Sequence, residues 1–146
     1  MSKTSDWWTS PTESENGRLI MVTGRRDVDK FRNNSRFNIR VEISWKYDGD
    51  ASGMPNYETS TLMEQVQEAL DAEFKKDPIA ILTGIYTGDN ERNWVFYTLS
   101  THIFGRKLNE ALVNFELLPI TIYCENDPDW NEYQEMKELS EIDAGD

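Results

Sequence analysis

Ile79-Ala-Ile-Leu-Thr-Gly-Ile-Tyr-Thr-Gly-Asp-Asn-Glu-Arg-Asn-Trp-Val-Phe-Tyr-Thr-Leu99 decides the fold. Two runs rich in β-branched and aromatic residues flank a short polar segment that begins at Gly88, the pattern of an antiparallel hairpin. Both strands carry apolar groups on both faces. Ile79, Ile81 and Ile85 are set against Leu82 and Tyr86, and Trp94 and Phe96 against Val95, Tyr97 and Leu99. Strands of that kind lie centrally and are covered on both sides, so the remaining elements are expected as layers around this hairpin.

On the N-terminal side, Phe37, Ile39, Val41, Ile43, Trp45 and Tyr47 alternate strictly with Asn38, Arg40, Glu42, Ser44 and Lys46. A period of two places the first set on the core and the second in water. Between this strand and the hairpin, Leu62, Met63, Val66, Ala69, Leu70 and Phe74 share one side of a 3.6-residue wheel. Thr61 with Glu64, or else Asn56, supplies the start, and Asp77-Pro78 the stop. After the hairpin, Phe104, Leu108, Ala111, Leu112 and Phe115 mark a second amphipathic helix beginning near Ser100 or Thr101. Pro119–Cys124 is the last strand. Asp127 as N-cap and Pro128 at the first helical position open a third helix with Trp130 and Tyr133 on one face.

Further upstream, Asn16-Gly17 joins two short strands, Trp7–Thr12 and Arg18–Arg25, as a hairpin; Pro11 confines the first to a sheet edge. From Phe37 onward the order is strand, helix, strand, strand, helix, strand. The expected fold is therefore α+β: a ferredoxin-like βαββαβ core with an added N-terminal β-hairpin and a C-terminal helix, and helices on one face of an antiparallel sheet. Residues 1–139 form a single domain and 140–146 an acidic, disordered tail. Ile43, Val66, Leu70, Ile81, Phe96 and Leu112 are expected in one core.

The combination of Trp8, Gly53-Met-Pro55 before the first helix, Leu82-Thr-Gly-Ile-Tyr-Thr-Gly88 with Tyr97 on the next strand, and Asp127-Pro-Asp-Trp130-Asn-Glu-Tyr133 resembles the bacterial "domain of unknown function 695" family. The resemblance implies a fold and a bacterial setting and brings no activity. Its members' occasional fusion to domains similar to ribonuclease E activity regulator B implies regulation by protein contact.

Composition narrows the function. The 146 residues carry 27 acidic and 15 basic side chains, a formal charge of -12. The charge is unevenly spread: Arg18–Lys46 holds eight bases against Asp27, Asp29 and Glu42, whereas Glu125–Asp146 holds nine acids against Lys137. No apolar run is long enough for a membrane span and no signal peptide is expected, so no membrane partner is. Cys124 is the one cysteine, which fits a reducing, cytoplasmic setting.

Catalysis and cofactors find little support. His102, the sole histidine, opens a helix beside Ile103 and Phe104 and reads as half-buried. Cys124 lacks an adjacent base and sits next to Glu125, which disfavours a thiolate. Asp127, Asp129 and Glu132 lack the glycine and later glutamate of a calcium loop, and Gly84, Gly88 and Gly105 match no phosphate-binding spacing. No catalytic, cofactor-binding or metal-binding residue is assigned. Arg92-Asn-Trp-Val-Phe-Tyr97 lies where RNA-recognition motifs keep stacking aromatics, but it lacks glycine and the acidic charge repels phosphate, so no nucleic-acid partner is expected.

A non-catalytic protein-interaction or regulatory module is the leading expectation, as a monomer or weak homodimer. The alternative is an enzyme whose carboxylate and tyrosine site one sequence does not reveal. Candidate partner contacts are Arg25, Arg26, Lys30, Arg32 and Arg36, which crowd one connection, together with Trp130 and Tyr133. A free sheet face is a further candidate surface.

Overall fold

The computed structural model describes residues 6–144. In chain order the elements are β1 (Trp7–Glu13), β2 (Leu19–Arg25), the one-turn α1 (Asp29–Arg32), β3 (Ile39–Lys46), α2 (Tyr57–Lys76), β4 (Ala80–Gly88), β5 (Glu91–Thr98), α3 (Thr101–Ala111), β6 (Ile120–Asn126) and α4 (Asn131–Ala144). Six strands form one sheet in the order β1-β2-β4-β5-β3-β6, and every neighbouring pair is antiparallel. The fold is α+β, with helices packed on an antiparallel sheet. No described helix is long and apolar enough to cross a membrane.

β4 and β5 occupy the middle of the sheet, as their two-sided apolar pattern requires. Their two-residue turn, Asp89-Asn90, has φ of 51° and 70°, the left-handed pair that matches the twist of a tight hairpin. Gly88 precedes it at φ 155°, and a Cβ there would overlap the Leu19 carbonyl of the neighbouring strand. The β1–β2 hairpin is looser than a two-residue Asn-Gly turn. Ser14–Arg18 form the loop; Gly17 alone is left-handed, at φ 75°, and its N–H donates to the Ser14 carbonyl at 2.9 Å.

Helix starts follow side-chain caps. Asn56 caps α2 by accepting from the Thr59 N–H at 2.8 Å, so the earlier of the two expected starts is the real one. Ser100 caps α3 through the Ile103 N–H at 3.1 Å. That helix ends at Ala111; Leu112 and Phe115 lie beyond it yet still pack on the core.

The sheet has two cores. On one face α2 and α3 bury Val41, Ile43, Trp45, Val66, Leu70, Leu82, Trp94, Phe96 and Phe104. On the other, Trp8, Val22, Val28, Phe37, Ile81, Val95, Tyr97, Trp130, Tyr133 and Met136 pack together beneath α1 and α4. Two expectations are thereby corrected. Helices lie on both faces, and the face opposite α2 and α3 is not free. Ile81 belongs to the second core, because the β4–β5 register slips between Leu82 and Gly84. This bulge reverses the side-chain alternation, so Ile85 joins Leu82 and Tyr86 joins Ile81.

α4 begins three residues later than Pro128 at its first position would require. Asp127 to Trp130 form a turn closed by the Trp130 N–H on the Asp127 carbonyl at 3.0 Å, and Trp130 is left-handed at φ 56°. Past Leu139, where the sequence sets the end of the ordered domain, the helix continues to Ala144. The rest of the expected acidic tail lies outside the described residues.

Candidate functional site

The C-terminal helix is anchored by one buried cluster. The Asp127 carboxylate accepts from the Tyr97 hydroxyl at 2.6 Å and from the Asn131 and Glu132 N–H groups at 2.9 and 3.1 Å. Asp127 thus caps α4 from a turn upstream of where an ordinary N-cap sits. Burial pushes this carboxyl's pKa up, but the hydrogen bonds outweigh it and leave the group below its usual range. The Tyr97 hydroxyl is correspondingly held far above a normal phenol, by burial first and by Asp127 second. Trp130 stacks on Tyr97 with ring centroids 4.0 Å apart, and its indole N–H donates to the Phe37 carbonyl at 2.7 Å. The Tyr133 hydroxyl donates to the Arg25 carbonyl at 2.6 Å. With exposures of 1% and 3%, Trp130 and Tyr133 are core residues and are not displayed to a partner.

The basic connection is partly consumed by the same packing. Arg25 pairs with Asp27 at 2.8 Å and lies over the Trp7 ring. Arg32 lies over Tyr133 and donates to Gln134 at 2.8 Å, and Arg26 donates to the Trp7 carbonyl at 3.2 Å. Lys30 and Arg36 are exposed. Arg25 and Arg32 therefore hold the segment and α1 against β1 and α4, and the five bases do not form one free patch.

Two other places stand out. The first is a cleft of about 240 Å³ beside α4, lined by Arg40, Glu42, Thr83, Tyr86, Asn93 and Glu132 among others. The alternation of β3 assigns Arg40 to solvent, but α4 returns over that face and leaves Arg40 only 8% exposed. Its Nε donates to Glu125 at 2.8 Å, and Glu42 lies 3.7 Å from Nη1. Burial raises the Tyr86 phenol to about 12 and raises the Glu132 carboxyl. Among the described residues no group of His, Cys, Asp and Glu is arranged to hold a metal ion. His102 and Cys124 are both exposed and lie apart from this cleft.

The second is the outer edge of β6. The sheet has two edges, and they are built differently. Just outside the β1–β2 ladder the Arg26 N–H donates to the Asp6 carbonyl at 2.7 Å, which fixes the alternation so that Pro11 of β1 points outward, where a missing N–H costs no ladder bond. α4 also packs against β1. β6 contains neither proline nor lysine, its one charged residue, Glu125, is turned onto Arg40, and its pairing with β3 runs without a bulge; proline, free charges and bulges are devices that normally guard an edge. The Asp127 N–H donates to the Asn38 carbonyl at 2.8 Å. By alternation, Thr121, Tyr123 and Glu125 then bond β3, while the N–H and C=O groups of Ile122 and Cys124 point away from the sheet.

Apolar surface gathers along that edge. Ile122 and Tyr123 are 46% and 55% exposed, and Leu117 is fully exposed. A groove of about 350 Å³ runs between the end of α3 and β6, lined by Leu108, Leu112, Phe115, Leu117, Leu118, Ile120 and Ile122 among others. Local sequence could not reveal this surface, since β6 reads as an ordinary apolar strand and its edge position depends on long-range strand order.

No curated protein and no solved structure matches the chain. The family profile described as "Family of unknown function (DUF695)" matches residues 6–136. With that match spanning nearly the whole of the sheet and its helices, the chain belongs to the DUF695 family.

Proposed function

We propose that this protein is a non-catalytic interaction module that receives an extended segment of another protein along the outer edge of β6. The observation that carries the proposal is the unguarded edge itself: outward backbone groups at Ile122 and Cys124 beside an exposed apolar groove. Strand addition supplies affinity through main-chain hydrogen bonds and selectivity through alternate side chains. The frame that presents this edge is read as the ferredoxin-like split βαβ, supported by the order β6-β3-β5-β4 with α2 and α3 as its crossovers. A cytoplasmic setting is part of the same proposal, supported by the single cysteine.

Site-specific photo-crosslinking in cells tests it. A photoreactive phenylalanine at Tyr123 should capture a discrete protein, whereas the same group at Tyr57, 84% exposed on α2, should not. Equal capture at both positions, or none at Tyr123, refutes the assignment to β6.

An enzyme is the second reading, favoured by the gathering of Arg40, Glu42, Tyr86 and Glu132 in one cleft. Burial holds the Tyr86 phenol protonated up to about 12 and raises the Glu132 carboxyl above its ordinary value, shifts of the kind that cluster at functional sites. Small polar molecules that shift the Tyr86 and Arg40 resonances and are turned over by wild type but not by Tyr86→Phe would support it.

A further inference from the structure

On the reading that β6 is the docking edge, we infer the chemistry of what docks there: an extended segment in which apolar residues alternate with Lys or Arg. A strand added beside β6 bonds Ile122 and Cys124, and its side chains continue the two faces of the sheet. Residues on the side of Ile122 enter the groove with Leu117 and Phe115 and need to be apolar. Residues on the other side lie beside Tyr123 and Glu125, whose side chains touch through a 3.3 Å hydroxyl–carboxylate hydrogen bond. Glu125 itself is bound to Arg40 at 2.8 Å, but that one base is set among Glu125, Glu42 and Glu132, so this side stays net negative. The exposed Tyr123 ring beside it suits a cation.

The wider charge pattern agrees. From Leu108 to Met136 the chain contains seven acids and no base, so the edge is set in an acidic frame. Of the nearest bases on β3, Arg40 is buried and committed to Glu125, and Lys46 lies beyond the Trp45–Ile120 end of the ladder. A second copy of this chain would bring another base-free acidic frame to the same edge. Charge therefore favours a basic segment over self-association.

The test uses the full chain and two synthetic extended peptides of about nine residues, one alternating Val with Lys and Arg, the other with Glu at every basic position. The basic peptide should bind about tenfold or more tightly than the acidic one, and weaken as salt rises from about 0.05 to 0.5 M. Binding should protect the Ile122 and Cys124 amides from hydrogen exchange. Ile122→Pro removes an outward N–H and leaves the β3 ladder intact, so it should abolish binding with little change in melting temperature. Ile122→Lys, at an exposed side chain, provides the same loss should the proline variant misfold.

Equal binding of the two peptides, with the same amides protected, overturns the basic chemistry and leaves the edge assignment standing. Neither peptide binding while the chain dimerises through β6, with dimerisation lost in Ile122→Lys, also overturns it in favour of a second copy. If no peptide and no second copy protects Ile122 or Cys124, both the chemistry and the docking edge fall.

Discussion

Replacing Asp127 by Asn asks how much of the second core hangs on one carboxylate. Asp127 is 6% exposed and accepts three hydrogen bonds, from Tyr97, Asn131 and Glu132. An amide keeps one acceptor oxygen, loses the other, and removes the negative charge at the start of α4. Tyr97 and Glu132 both donate to Oδ2 and Asn131 to Oδ1. An amide that keeps its oxygen at the Oδ2 position therefore turns its NH2 on the Asn131 N–H, and the flipped amide leaves the Tyr97 proton and the Glu132 N–H without an acceptor. Hydrogen bonds to a charged group contribute about 1.5–3 kcal/mol, and a charge at a helix N-terminus about 0.3–1 kcal/mol. The expected loss is about 2–3 kcal/mol, a fall in melting temperature of about 5–10 °C for a chain of this size.

The pH dependence carries a definite sign. The folded pKa of Asp127 is depressed, so its contribution is fully present above the unfolded carboxyl value of about 3.9 and is lost as pH falls through the folded value. Calorimetry at a series of pH values should show a constant gap between wild type and Asp127→Asn from neutrality down to about pH 5, narrowing below about pH 4. A variant melting within about 1 °C of wild type at neutral pH would show that the cluster is not the anchor. A gap that persists unchanged in acid would show that the effect is not the charge.

Leu70→Ala, at a site 1% exposed, should cost about 2–5 kcal/mol in chemical denaturation; an unchanged midpoint would remove α2 from the core. Gly24→Ala would drive a methyl group into the Trp8 indole and should destabilise by about 1–3 kcal/mol, seen as a lowered melting temperature with loss of the Trp8 environment in fluorescence. Truncation after Asn126 removes Trp130, Tyr133 and Met136 from the second core; the remaining chain should melt lower and bind more of a hydrophobic dye. Spectrophotometric titration should find a phenol ionising near 12 that disappears in Tyr86→Phe, whereas a normal value for that phenol would mean the cleft is open to water.

Much of this architecture was legible because local patterns and long-range packing agree. The strict alternation of β3 and the double-sided hairpin of β4 and β5 name a sheet and its centre without help from elsewhere in the chain. The places where the pattern misleads each have a local cause. Thr83 and Gly84 insert a bulge, and a glycine inside an apolar strand is the one signal that could have warned of the change of side at Ile85. Asp127-Pro128 looks like a helix start, but the left-handed Trp130 delays the helix by a turn and drops the indole onto Tyr97. Arg40 reads as solvated because nothing near it in sequence announces that α4 will cover it. The edge status of β6 is wholly topological: its residues are those of any sheet strand, and only the strand order leaves one side uncovered.

The two-core arrangement also bears on how the chain emerges during synthesis. Val22, Ile81, Val95 and Tyr97 are all made before Trp130, Tyr133 and Met136, which cover them. The α2–α3 core needs nothing beyond Ile120, so it can close while the opposite side of the nascent sheet is still bare. For that interval the growing chain shows a broad apolar surface and, until β6 is added, an open β3 edge as well. Such intermediates are prone to aggregation, and α4, which is translated after the sheet, acts as a cover that ends the exposure. A nascent chain that has emerged from the ribosome as far as Asn126, with α4 still inside, would therefore be at its most vulnerable point, with one half packed and the other waiting for its lid.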